Sequence, residues 1–281
     1  MPKIKTKSAT TYYLKRGRKS NLPLIIGCHG GPGGTHHSLK PLLNLATDRQ
    51  VIIYDQAGSG LSSSIPQKKF NIATFVTQLN EIIDHFSDRP VILYGSSWGG
   101  TLILEYFKKY PSKVCGLIFH SSLINESMWQ KDAKKLIAKL PRNDQKIINY
   151  CEEINATDSK VYKVAMNKYY LKHVCRDKEA YKIKIKRKFN EELYNYMWGP
   201  SEFCATGTLK KYDGIPILKK IKIPTLFICG EHDESTPHSN RYFASQVKTS
   251  SIAVIKDASH SSLREKPKQS LSKIRAFLTQ V

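Results

Sequence analysis

Short runs of consecutive apolar residues recur along the chain, at Tyr12–Leu14, Leu22–Cys28, Val51–Tyr54, Val91–Tyr94, Val114–Phe119, Ile223–Cys229 and Ser251–Ile255. Their length and lack of charge predict strands, most of them buried on both faces. Between them the apolar positions fall at helical spacing. Leu39, Leu42, Leu43 and Leu45 predict a short helix, and Ile72, Phe75, Leu79, Ile82, Ile83 and Phe86 a longer one over residues 71–87. Leu102, Ile103, Tyr106 and Phe107 continue the series, as do the segments Arg241–Val247 and Leu263–Leu278. Strands alternating with helices through short loops predict an α/β fold, a mostly parallel sheet covered by helices on both faces. Residues 125–211 break this pattern. They hold no strand run, only lysine-rich helical periodicity at Trp129–Leu140, Asp144–Glu153, Lys160–Leu171 and Arg176–Met197. The expectation is a core of residues 1–124 and 212–281 interrupted by a helical cap at 125–211.

Composition narrows the picture little. A chain of 281 residues with 40% hydrophobic content can bury a full core. No run reaches bilayer-spanning length, so no membrane partner is expected. The N-terminal stretch is basic without an apolar centre, unlike a secretory signal. Cys28, Cys115, Cys151, Cys175, Cys204 and Cys229 show neither CxxC pairs nor metal-ligand spacing. Those in strand runs, Cys28, Cys115 and Cys229, read as buried free thiols in a reducing, cytoplasmic compartment. The net charge of +22 invites a nucleic-acid reading. The basic residues are dispersed, however, and no nucleic-acid motif accompanies them, so no nucleic-acid partner is expected.

Chemistry enters at Val91–Tyr94, which runs straight into Gly95-Ser96-Ser97-Trp98-Gly99-Gly100 and then a helix. Strand, tight turn and helix make Gly95-x-Ser97-x-Gly99 a nucleophile elbow. The turn brings residues two before and two after the serine against each other, which favours glycine at both. The amides beyond the serine start a helix, where partial positive charge favours an oxyanion. A serine nucleophile needs a base, and the base an orienting carboxylate. Loops after the C-terminal ends of parallel strands open on one edge of a sheet. The α/β-hydrolase order of nucleophile, acid and histidine is met by Ser97, Asp233 and His260. His29 precedes the elbow and reads as a brace for its own loop. His232 and His238 adjoin the acid, and Asp257 lies too near His260 to reach it from another strand. The Trp98 amide and an amide of the His29–Gly34 loop, Gly31 foremost, are the expected oxyanion donors.

His29-Gly-Gly-Pro-Gly33, Asp55-Gln-x-Gly-x-Gly-x-Ser62 and Gly95-x-Ser97-Trp-Gly-Gly100 together resemble the prolyl iminopeptidase family of α/β hydrolases. Trp198-Gly-Pro-Ser-Glu202-Phe203 and Gly230-x-x-Asp233-Glu234 fit the same family, in the branch of the tricorn-interacting aminopeptidase. The resemblance spans Leu24 to His260; the other cap helices carry no motif. It implies release of an N-terminal residue, often proline, from short peptides with a free N-terminus, without metal or other cofactor. It also places Glu202 and Glu234 at the substrate's ammonium group. Two converging carboxylates hold one cation by charge-assisted hydrogen bonds and repel each other when empty. Trp98 and Phe203 either wall a proline pocket or pack in the core, and Asp55 and Gln56 brace loops. Amino-acid amidases and ester hydrolases share the triad, so they stay as the alternative function. The oligomeric state is not legible in the sequence.

Overall fold

The structure, a computed structural model, describes residues 2–177, 179 and 189–281. Eight strands form one sheet: β1 (Lys3–Lys5), β2 (Thr10–Arg16), β3 (Ile25–Cys28), β4 (Val51–Tyr54), β5 (Val91–Ser96), β6 (Val114–His120), β7 (Thr225–Gly230) and β8 (Ser250–Ile255). Their order is β1-β2-β4-β3-β5-β6-β7-β8. The pairs β1·β2 and β2·β4 are antiparallel, and every later pairing is parallel. The elbow strand β5 therefore lies inside the sheet, with β3 and β6 at its sides.

The side chains of the inner strands divide between two cores with a period of two. Ile26, Ile52, Leu93, Leu117 and Phe227 enter one core. Against it pack α1 (Ile72–Phe86) and α2 (Trp98–Lys109). Ile25, Ile53, Ile92, Ile118 and Ile228 enter the other. That face is covered by a 3-10 helix over His36–Leu45, which contains Pro41, and by the C-terminal helices. This is the α/β architecture expected from the sequence.

Between β6 and β7 lie α3 (Glu126–Ile137), α4 (Arg142–Glu153), α5 (Lys160–His173), α6 (Glu191–Met197) and the short α7 (Ile215–Leu218). The helix expected over Arg176–Met197 falls partly on 178 and 180–188, outside the described residues. The chain leaves and re-enters the core at one place: Asn125 bridges Asp213, and the Glu126 amide donates to the Tyr212 carbonyl at 2.9 Å. Ala133, Leu136, Ile148, Tyr162, Tyr169 and Phe203 form a core of their own. Helix α6 does not join it, because Leu193, Tyr194 and Met197 pack into the main core.

After β7 come α8 (Pro237–Ser245), α9 (Ser262–Glu265) and α10 (Pro267–Leu278). The C-terminal helix expected as one piece is two, since Pro267 opens the second. Strand β1 has one apolar residue, Ile4, and gave no run to detect. Cys28 and Cys229 are buried free thiols as expected, whereas Cys115 is only half-buried because β6 meets the surface at that end. Among the described residues no helix is long and apolar enough to cross a membrane.

Candidate active site

Ser97 sits between β5 and α2 with φ 55° and ψ −121°, angles that few L residues adopt. The glycines around it are demanded by contact. A Cβ on Gly95 would lie 2.3 Å from the Gly99 carbonyl oxygen, and one on Gly99 would lie 2.2 Å from that of Cys28. The His29–Gly34 loop lies directly against the serine, since a Cβ on Gly30 would come within 2.9 Å of Ser97 Cβ. Gly31 has φ +113°. Among the described residues, neither the Gly31 nor the Trp98 amide donates to a backbone carbonyl.

A buried network fastens that loop to the elbow. Gln56 Nε2 donates to the His29 carbonyl at 2.9 Å, and Gln56 Oε1 accepts from Trp98 Nε1 at 2.8 Å. The Gln56 amide donates to His29 Nε2 at 3.0 Å, so His29 Nδ1 carries the proton that reaches the Gly30 carbonyl at 2.8 Å. Burial pushes His29 below its ordinary pKa, which keeps that tautomer neutral. Asp55 accepts from the His36 amide at 2.6 Å, His36 Nδ1 at 2.9 Å and the Leu61 amide at 2.9 Å. His29, Asp55 and Gln56 are thus the braces expected of them.

His260 Nδ1 is 2.9 Å from Asp233 Oδ1. Asp233 is buried and fully engaged. Its Oδ1 also accepts from the Ser235 amide at 2.8 Å, and its Oδ2 accepts from Ser121 Oγ at 2.5 Å and the Gly230 amide at 3.1 Å. With Asp233 Oδ1 as its acceptor, Nδ1 carries the imidazole proton, which leaves Nε2 as the nitrogen able to accept one. Ser97 and His260 line one cavity of about 120 Å³ together with Gly30, Gly31 and Glu202.

Glu234 Oε1 lies 3.7 Å from His260 Nδ1, and its residue is 1% exposed. Tyr169 and Tyr194 stand beside both glutamates: burial and then the Glu234 and Glu202 carboxylates push the Tyr169 hydroxyl well above its ordinary range. For Tyr194, burial comes first and Glu202 next. The Glu202 amide donates to the Tyr170 hydroxyl at 3.0 Å, and Trp129 Nε1 donates to the Glu202 carbonyl at 2.7 Å. Both carboxylates thus lie near Tyr169 and Tyr194, but Glu202 lines the cavity of Ser97 and His260, whereas Glu234 lines a smaller one with Trp129 and Asp132. Trp98 and Phe203 are not on the cavity wall. Trp98 is fully buried with its ring edge-on to Phe75, and Phe203, 4% exposed, packs among Tyr162, Tyr169 and Tyr170. For both, the core-packing reading is the one the contacts match.

Several neighbours were invisible in the sequence. Ser121 (φ 52°) donates to the acid. Trp129 meets His260 edge-on at 5.7 Å. His120 lines the cavity, hydrogen-bonded through Nδ1 to the Tyr94 hydroxyl and through Nε2 to Ser262 Oγ at 2.6 Å. Each is a lone residue in a strand end or helix, and only the tertiary fold brings its partner near. Glu231, His232 and Asp257 could converge on a cation, but Glu231 and Asp257 are exposed, His232 is half-buried, and none of the three lines this cavity.

An elbow serine at the C-terminal edge of a mostly parallel sheet, with an acid on the loop after β7 and a histidine on the loop after β8, defines an α/β hydrolase. The model of the alpha/beta hydrolase fold matches residues 23–267. A proline iminopeptidase of Heyndrickxia coagulans is 36% identical over 92% of this chain and 91% of that protein. The crystal structure of proline iminopeptidase from Mycobacterium smegmatis superposes with a TM-score of 0.88 at 28% identity, covering 99% of this chain and 97% of that one. The structure of VinJ superposes with a TM-score of 0.93 at 27% identity, covering 100% and 98%. The chain belongs to the proline iminopeptidase family of α/β hydrolases and is a hydrolase of that family.

Proposed function

We propose that this chain is a cytoplasmic serine aminopeptidase that removes an N-terminal residue, preferably proline, from short peptides. The observation that carries the proposal is Glu202 on the wall of the cavity that Ser97 and His260 line, with the buried Glu234 carboxylate 3.7 Å from His260 Nδ1 and Tyr169 near both glutamates. A free ammonium group held there by charge-assisted hydrogen bonds would present the first residue's carbonyl to Ser97. In this reading Ser97 Oγ attacks that carbonyl while His260 Nε2 takes its proton. The tetrahedral oxyanion is received by the Trp98 and Gly31 amides, and His260 returns the proton to the leaving amine. Water, activated by the same imidazole, then frees the acyl group. Asp233 holds the imidazole's orientation throughout. Residues 125–211 act as a cap whose side chains complete the amine pocket and restrict entry to short peptides.

Ser97→Ala should abolish turnover. Glu202→Gln and Glu234→Gln should each lower kcat/KM for a free-amine substrate by about 10- to 100-fold and leave ester hydrolysis little changed. Equal losses on amine and ester substrates would remove the ammonium site from the proposal.

A further inference from the structure

The carboxyl end of α5, whose cap residue Val174 lines the cavity, is bonded to the loops of the histidine and the acid. The His260 amide donates to the His173 carbonyl at 3.1 Å, and the Ser261 amide donates to the Val174 carbonyl at 2.9 Å. His173 Nδ1 is 2.9 Å from the carbonyl of His232, the residue before Asp233. With a carbonyl as its acceptor, that nitrogen must carry the proton. Burial pushes His173 below its ordinary pKa, which favours this neutral form. One insertion residue thus grips the backbone of the base with its carbonyl and the backbone next to the acid with its ring.

A second anchor lies at Arg176. Glu265 Oε1 accepts from the Arg176 amide at 2.8 Å and from Ser259 Oγ at 2.6 Å. Its Oε2 accepts from the Ser259 amide at 2.8 Å. The segment 173–176 is therefore tied along the whole length of 259–261. The first half of the histidine loop is held by the loop after β7, where the His232 amide donates to the Ala258 carbonyl at 2.8 Å and the Asp257 amide to Glu231 Oε2 at 3.0 Å; the segment 173–176 holds its second half.

We infer that the segment 173–176 is a strap that sets the geometry of the Asp233–His260 pair, with His173 and Glu265 as positioning residues for the hydrolytic reaction. The inference rests on the triad of the function proposed above, but not on its preference for a free amine. A consequence is that any opening of the insertion that lifts the end of α5 also releases the imidazole from its working orientation. A misplacement of this kind at a general base lowers kcat much more than it weakens binding.

The test compares His173→Leu, His173→Asn and Glu265→Gln with the unaltered protein. Leucine keeps bulk and removes the donor, whereas asparagine can put an amide N–H near the position of Nδ1. Each variant is read by the rate of fluorophosphonate labelling of Ser97, by kcat and KM for a chromogenic substrate, and by its melting temperature. We expect His173→Leu and Glu265→Gln to lose about 10- to 100-fold in kcat and in labelling rate, with KM within about threefold. His173→Asn should recover most of the labelling rate. If His173→Leu labels at the unaltered rate, the strap has no positioning role. If His173→Asn is as slow as His173→Leu while both melt like the unaltered protein, the ring-to-carbonyl bond is not the operative contact and the inference fails. Should the unaltered protein label but not cleave prolyl substrates, the aminopeptidase proposal falls, and the labelling rates still decide the strap.

Discussion

Ser97 has backbone angles that cost its own residue energy, and the glycines around it let the chain hold them. Gly99→Ala places a methyl group 2.2 Å from the Cys28 carbonyl oxygen, a backbone atom of β3 that cannot step aside. We expect this substitution to lower unfolding free energy by about 2 kcal/mol or more and to abolish labelling of Ser97. Unchanged urea denaturation and labelling would contradict the packing described. His120 carries a second residue-scale expectation. Its buried ring has a pKa lowered to about 4 from the ordinary 6.5. Below pH 6.5 the unfolded chain takes up a proton that the folded ring refuses until about pH 4. The stability His120 contributes is therefore complete above pH 6.5 and is lost as pH falls toward 4, on the order of 3 kcal/mol in all. His120→Gln should flatten the decline in denaturation midpoint over that window; an equal slope in both proteins would refute it. The glycine spacing around Ser97 was legible because covalent geometry within a few residues demands it. His120 was not, because Tyr94 and Ser262 lie 26 and 142 residues away.

The elements of the core were legible for the same physical reason that they form. An inner strand must be apolar on both faces, and a covering helix on one, so each leaves a distinct period in the chain. The failures occur where something other than burial sets the element. Strand β1 is held by antiparallel pairing to β2 rather than by its Lys-Ile-Lys sequence. Helix α8 begins at Pro237, earlier than its apolar residues indicate, because Thr236 caps it by accepting from the Ser239 amide at 3.2 Å. That cap is itself bound to α3: buried Asp132 accepts from Thr236 Oγ1 at 2.6 Å and from Ser239 Oγ. Asp132→Ala would strand two hydroxyls at the seam between α3 and α8. It should cost roughly 2–3 kcal/mol, seen as a lower melting temperature at unchanged kcat for the fraction that stays folded. A melting temperature equal to that of the unaltered protein would show the seam to be held by packing alone.

At the scale of the whole molecule, the sheet brings Ser97, Asp233 and His260 to one edge from positions separated by most of the chain. The mostly parallel sheet that does so was readable in outline; the strand order was not, and the two glutamates stood out only through the family resemblance. The aromatic surroundings of those glutamates were not readable, because Tyr169, Tyr170 and Tyr194 have the spacing of ordinary core positions in α5 and α6. Their meaning appears only when the insertion folds back over the elbow. The large positive charge has a different standing: its basic residues are dispersed along the chain, and one of them, Arg264, lines the cavity. The central claim is that this pocket selects a free N-terminal amine. Its most direct test is hydrolysis of proline p-nitroanilide beside the N-acetylated form, alanine p-nitroanilide and p-nitrophenyl acetate. We expect rapid turnover of free proline anilide, slower turnover of alanine, and none of the acetylated anilide. Equal cleavage of the free and acetylated anilides, or cleavage of the acetate ester alone, would contradict the claim and leave a hydrolase whose glutamates serve another purpose.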